Sequence, residues 1–242
     1  MDSLRSDRPS DLFAASADLH AASGAARLPR AFYARPTLEV APDLLGLWLV
    51  HDGPAGGLTG RVAGRIVEVE AYVGVDDLAS HASKGQTART SVMFGPPGHA
   101  YVYLIYGMHH CFNVVTDCEG VAGAILVRAL EPAPDTPVAA AGARTDGPGR
   151  LCRTLGIDRT HNTLDLTDEG YGPLWLERRP GPPVTEIATS PRIGIDYAGE
   201  WAARPWRFFV PTSRHLSVRR AARTAGPGAL HDAAKAALGG MG

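Results

Sequence analysis

Two spacings of apolar residues run through this chain, and the period-two spacing dominates its middle. In the run from Gly64 to Tyr72, strict alternation places Ile66, Glu68, Glu70 and Tyr72 on one face of a strand. Residues 99–106 are a dense run of β-formers containing Tyr101, Tyr103 and Tyr106, the first two pointing the same way. Gly107-Met108 forms a tight turn into a second strand over 109–116, so Tyr106 and Met108 fall at a hairpin tip. A third strand over 124–130 carries Arg128 inside an otherwise apolar run. A short helix over 37–45, a strand over 47–51 closed by Asp52-Gly53-Pro54, and a closing strand over 206–210 complete the pattern.

Helical signals are fewer. Gly147-Pro148-Gly149 opens a helix over 150–155 with proline near its first turn, a kind of N-terminus that can hold an anion. Residues 179–183, rich in Pro and Gly, read as a surface loop. Residues 1–28 are rich in Ala, Ser and Asp without periodicity and read as a disordered or weakly ordered leader. Residues 223–242 read as a flexible tail, with a short Ala-rich helix over 229–238. Between these ends, residues 29–222 form one domain, with no repeat and no linker.

Composition fits that picture. The chain has 242 residues, 45% hydrophobic and 20% charged, enough to bury one sizeable core. No apolar run approaches the ~20 residues a spanning helix needs, and the acidic N-terminus lacks a secretory pattern, so the expected setting is intracellular, cytoplasmic, without a membrane. Cys111, Cys118 and Cys152 match no zinc spacing and read as reduced thiols, with no metal expected. A net charge of -1 gives no general support for a nucleic-acid partner. Between Trp201 and Arg223, however, six arginines occur with no Asp or Glu, a local basic segment that a solvated surface explains equally well.

The chemistry-bearing positions cluster on the predicted strands. Hydrolysis of a glycosidic bond needs a carboxylate to position and deprotonate water while positive charge grows on the sugar. Glu70 is placed for that role, with Tyr72 about 6–7 Å further along the same face as a stacking surface. Alone, Glu68 and Glu70 read as the solvent face of an edge strand. Arg128 in an apolar strand requires a carboxylate or phosphate partner, which a structural ion pair would satisfy. The tyrosines read equally as core and edge aromatics, although an aromatic at a hairpin tip can fill a gap in a base stack. His81 alone reads as a surface or satisfied core histidine.

Ordered blocks narrow these alternatives. Glu68-Val69-Glu70-Ala71-Tyr72, Ala79-Ser80-His81, Tyr101-Val102-Tyr103-Leu104-Ile105-Tyr106-Gly107-Met108 and Leu126-Val127-Arg128-Ala129-Leu130-Glu131-Pro132 together resemble the alkyladenine (3-methyladenine) DNA glycosylase family. The resemblance continues through Gly147-Pro148-Gly149-Arg150-Leu151-Cys152, Pro191-Arg192-Ile193-Gly194-Ile195 and Ala198-Gly199-Glu200-Trp201, and covers residues 30–220. Residues 83–92 and 135–146 are the stretches that do not match.

The resemblance implies a mixed α/β (α+β) single domain: a curved, largely antiparallel sheet, surrounding helices and a protruding β-hairpin that inserts into DNA. It implies that Glu70 activates the water, with Arg128 beside it holding water and nucleotide backbone. Tyr72, Tyr103 and His81 would line the base pocket, with Asn113 crowding the exocyclic amine of guanine. Tyr106 would occupy the space a flipped nucleotide leaves, Met108 beside it, and Arg89, Arg150 and Arg207 are expected backbone contacts. The implied partner is double-stranded DNA carrying a damaged purine, met by a monomer that needs no metal or organic cofactor. Lys84 and Lys235, the two lysines, lie in no pocket motif, so hydrolysis without a Schiff-base lyase step is expected. The competing expectation is a lesion- or nucleic-acid-binding module without turnover.

Overall fold

The longest strand, β3 (Arg61–Val73), organises the molecule because it has neighbours along both edges. One edge pairs from Gly64 to Val73 with β6 (Gly123–Pro132). The other pairs first with β2 (Trp48–Asp52), over Arg61 to Arg65, and then with β9 (Arg207–Phe209), over Glu68 to Glu70. The computed structural model describes residues 26–53, 60–134, 136–219 and 223–225. Among them the sheet runs β1 (Ala26–Arg27), β7 (Leu174–Arg178), β2, β3, β6, β5 (His109–Thr116) and β4 (Ala100–Ile105), every pair antiparallel. A side branch carries β8 (Ile187–Ser190) and β10 (Arg223–Ala225) from β9. The result is a single mixed α/β domain on a curled antiparallel half-barrel.

Helices are short: α1 (Arg30–Tyr33), α2 (Thr37–Asp43), α3 (Pro137–Ala140) and α4 (Pro148–Leu155). With α4 apolar along one stripe, Leu151, Cys152 and Leu155 join Phe112, Ile125 and Leu130 in the main core. Burying such side chains gives about 1.5–3 kcal/mol each relative to exposure, which fixes α4 across β5 and β6. At the C-terminal end of α4, Gly156 takes the left-handed conformation (φ 68) that stops it.

One expectation about faces fails. Ile66 lies in the main core with Val69 and Ala71, whereas Val67 packs in a separate cluster with Ala129 and Phe209. Pairing of β3 with β6 slips between Ile66 and Glu68 and again between Glu68 and Val69. A bulge of this kind changes the parity of the strand, so Ile66 leaves the face that Glu68, Glu70 and Tyr72 share. The edge-strand alternative for the glutamates also fails, because β3 is interior and both are buried.

Residues 26–28, placed by the sequence at the end of the leader, supply β1 and buried Leu28, and residues 223–225, placed in the tail, supply β10. The remaining leader and the helix expected over 229–238 lie outside the described residues. Among the described residues, no helix is long and apolar enough to cross a membrane, and no group of His, Cys, Asp or Glu could hold a metal ion. The three cysteines are free.

Candidate active site

Glu68 and Glu70, two residues apart on one face of β3, meet the same guanidinium. Arg128, on β6, donates from Nε to Glu68 Oε1 (3.0 Å) and from Nη1 to Glu70 Oε2 (3.1 Å). All three side chains are buried, so each charge needs its partner. Glu68 also accepts Arg207 Nε (2.8 Å), Ser217 Oγ (2.6 Å) and Ser217 N (2.6 Å). Burial alone would raise the Glu68 pKa; Arg207, Arg128 and Ser217 outweigh it and hold that carboxyl below its ordinary value. Burial acts against the Arg128 charge, and Glu70 and Glu68 more than restore it.

Glu70 has a different complement. Tyr72 Oη donates to its Oε2 (3.0 Å), and the backbone N–H of Ile193 donates to Oε1 (2.7 Å). With Arg128 that makes three donors on two oxygens, an arrangement suited to an acceptor-only carboxylate. Burial, and then the neighbouring Glu70, push the Tyr72 hydroxyl well above its ordinary pKa, so it stays a donor.

Tyr72, Arg128 and Ile193 all line one cleft. Glu70 lies beneath them with no exposed surface. The walls are aromatic: Tyr103 and Tyr101 from β4, their rings 5.3 Å apart, and His81 at the head of a 3-10 turn (His81–Lys84). His81 stands edge-on to Tyr103 at 4.5 Å, its Nδ1 2.9 Å from Tyr101 Oη. Burial first, then the charges of Arg89 and Lys84, lower the His81 pKa to about 4. Asn113, on β5, also lines the cleft and spends its Nδ2 on Tyr101 O (2.9 Å). The structure therefore gathers Tyr72, His81, Tyr103, Asn113 and Arg128 around one space, with Glu70 beneath it.

The hairpin of β4 and β5 closes with Ile105 opposite His109, leaving Tyr106, Gly107 and Met108 as its loop. Tyr106 is 84% exposed and Met108 69%. Tyr106 also has φ 53, an unusual conformation for a bulky aromatic that costs of order 1–3 kcal/mol and is found mainly at functional positions.

The three expected backbone arginines separate. Arg89 is exposed and its guanidinium lies 5.3 Å from the Tyr103 ring, at the margin of the aromatic wall. Arg150 is exposed on the first turn of α4, 3.4 Å from Asp146, a surface pair worth under about 1 kcal/mol and easily exchanged for another anion. Arg207 is a correction. It is fully buried, bonded to Glu68, Ser190 Oγ (2.9 Å) and Val218 O (2.6 Å), and packed on Phe209, so no phosphate can reach it. Within the basic segment it is a structural counter-ion, because a guanidinium in a sheet interior needs an internal anion.

Sequence reasoning gave no role to the Ile193 N–H, to Ser217, or to the buried pair Asp77 and Arg192. Pro191-Arg192-Ile193 stands out as a block, but a backbone donor leaves no side-chain signature, and Asp77 meets Arg192 across 115 positions.

Comparison with known proteins defines the family of the chain. The chain is a member of the methylpurine-DNA glycosylase (MPG) family, whose model matches residues 31–214. Among similar proteins, the "Putative 3-methyladenine DNA glycosylase" of Myxococcus xanthus (strain DK1622) is 59% identical over 192 residues, covering 78% of this chain and 93% of that protein. Proteins of the same name from Methanocella arvoryzae (strain DSM 22066 / NBRC 105507 / MRE50) and Legionella pneumophila (strain Lens) are 52% and 49% identical, each over 79% of this chain and covering 96% and 98% of their own lengths. These matches place the chain among DNA glycosylases of alkylation-damage repair.

Proposed function

We propose that residues 29–222 act as a monomeric, monofunctional glycosylase on double-stranded DNA containing a damaged purine. The observation that carries this is the Glu70 carboxyl, bonded to Arg128, Tyr72 and Ile193 N, beneath an aromatic cleft. The damaged nucleotide leaves the duplex and its base enters between Tyr72, Tyr103 and His81, with Asn113 against its edge. Tyr106, with Met108 beside it, fills the vacated place in the stack and recovers part of the few kcal/mol that unstacking costs.

Glu70 Oε1, bonded to Ile193 N alone, keeps a lone pair for a water proton. Glu70 has no accessible surface, so its contact with the water requires the covering Tyr72, Arg128 or Ile193 to shift when DNA binds. The water oxygen bonds to the sugar anomeric carbon, its proton passes to Glu70, and the carbon–nitrogen bond breaks with its electron pair leaving on the base. A cationic alkylated purine departs neutral and needs no proton; a neutral lesion needs one supplied. Arg128 steadies Glu70 and the water. Lys84 is exposed on the turn after His81, outside the cleft, which favours hydrolysis without strand cleavage. Arg89 and Arg150 are suited to the phosphates.

Duplexes each carrying one lesion (3-methyladenine, 7-methylguanine, hypoxanthine, an etheno adduct or a bulky adduct) test the reading by formation of alkali-labile abasic sites. Wild type releases at least one of these bases. Glu70→Gln keeps lesion binding and loses release by about 10²–10⁴-fold. Normal excision by Glu70→Gln removes Glu70 as the base, and lesion binding without release by wild type turns the protein into a binding module.

A further inference from the structure

Behind Tyr72, on the side away from the cleft, lies a second buried ion pair. Arg192 Nη2 donates to Asp77 Oδ1 (2.8 Å) and Nη1 to Asp77 Oδ2, so the contact is bidentate. Both residues are buried, and neither lines the cleft. Replacing such a pair by apolar side chains often costs a fold nothing, so bulk stability is a weak reason for its presence.

Its bonds to the backbone are more informative. Arg192 Nη1 also donates to Ala71 O (2.8 Å), the carbonyl between Glu70 and Tyr72. Its guanidinium lies between the rings of Tyr72 (4.7 Å) and Trp206 (5.0 Å), backing the first against the cleft. The next peptide along the chain is the Ile193 N–H that holds Glu70 at 2.7 Å. Asp77 accepts from Val73 N (3.2 Å) and Ala79 N (3.0 Å), and its own carbonyl accepts from Ser80 N (2.8 Å), the residue before His81. The end of β3, the turn to His81 that follows it and the distant residues 192–193 are thus tied to one pair of side chains.

We propose that Asp77 and Arg192 form a positioning clamp that sets the spacing of Glu70, Tyr72 and His81 and so controls the base-release step. The clamp rests on the reading of Glu70 as base and of Tyr72 and His81 as the cage. An apolar pair would fill the same volume but could not hold three backbones in register by directed hydrogen bonds. Neither side chain touches substrate; both act through the groups that do.

The test uses the full chain with Asp77→Asn, Arg192→Lys and, as a control, Glu177→Gln, which disturbs the buried Trp175, Glu177 and Arg179 contacts outside the cleft. Single-turnover base release at saturating enzyme is measured beside affinity for a duplex containing an abasic-site analogue and the thermal midpoint. Misplacement of reacting groups by about 1 Å costs about 10²-fold, so release falls by roughly 10–100-fold in both clamp variants. Affinity for the abasic duplex, which carries no base to stack, changes by less than about threefold, and the control keeps its release rate at a similar loss of midpoint. Should a single variant not fold, Asp77→Asn/Arg192→Gln, which removes both charges, carries the same expectation. Release within about threefold of wild type in a folded variant, or an equal loss in the control, overturns the clamp. A wild type that itself releases no base fails the reading of Glu70 and takes the clamp with it, an outcome separated from the others by the inert wild type.

Discussion

At the scale of single residues, the decisive contrast is between Glu68 and Glu70, two positions apart. Glu68 is saturated by two guanidinium groups and both donors of Ser217, with no partner in the cleft lining other than Arg128. Glu70 shares Arg128 but gains Tyr72 and a backbone N–H, and every one of its partners faces the cleft. Identical side chains therefore divide into a structural anion and a candidate base. His81 supplies a pH prediction. Its pKa falls from 6.5 to about 4 in the folded protein, so between these values the unfolded chain binds more protons. The contribution of His81 to stability is complete above pH 6.5 and is lost as pH falls toward 4. The thermal midpoint of wild type should decline over this window more steeply than that of His81→Gln, and the His81 ring should titrate near pH 4 by NMR. A ring that titrates at 6.5 would contradict the burial seen here.

At the scale of elements, the hairpin and the bulge account for most of the geometry. Tyr101, Tyr103 and Tyr106, and the turn that follows them, are legible in the sequence because period-two β-formers and a glycine turn need no tertiary information. The bulge in β3 is not legible, because no residue type marks it; the exchange of β2 for β9 along one edge accompanies it. Without that parity change the Ile66 side chain would share the face of Glu68 and Glu70. Tyr106→Ser is expected to weaken binding to a lesion duplex by roughly 10–100-fold, from the ~1–3 kcal/mol an aromatic gives against a base. Its thermal midpoint stays unchanged, since Tyr106 is 84% exposed and packs against little of the fold. Equilibrium binding to lesion and undamaged duplexes checks this, and equal affinity of variant and wild type removes the wedge.

At the scale of the whole molecule, a net charge of -1 leaves little long-range attraction for DNA, so attraction must be local. Arg89 and Arg150 lie exposed near the cleft margin and on α4, while Arg207 is fully internal. A few phosphate contacts of this kind give a slope of log affinity against log salt of about -2 to -4. Arg89→Ala and Arg150→Ala should each flatten that slope by about one unit. A slope near zero would remove the phosphate role of both.

The sequence by itself determined strands β2 to β6 and β9, the hairpin tip and the ordered blocks that identify the family, because these follow from local periodicity and from residues adjacent in the chain, whereas β1, β7, β8 and β10 are too short or too irregular to show it. It also singled out Glu70, Arg128 and the aromatic residues of the cleft. Only the tertiary structure decided that Glu68 is a buried counter-ion, that Arg207 serves it rather than DNA, and that Asp77 and Arg192 back the cleft. Those assignments depend on which charge meets which in a region closed to water, and pairs separated by 60 to 139 positions leave no local trace.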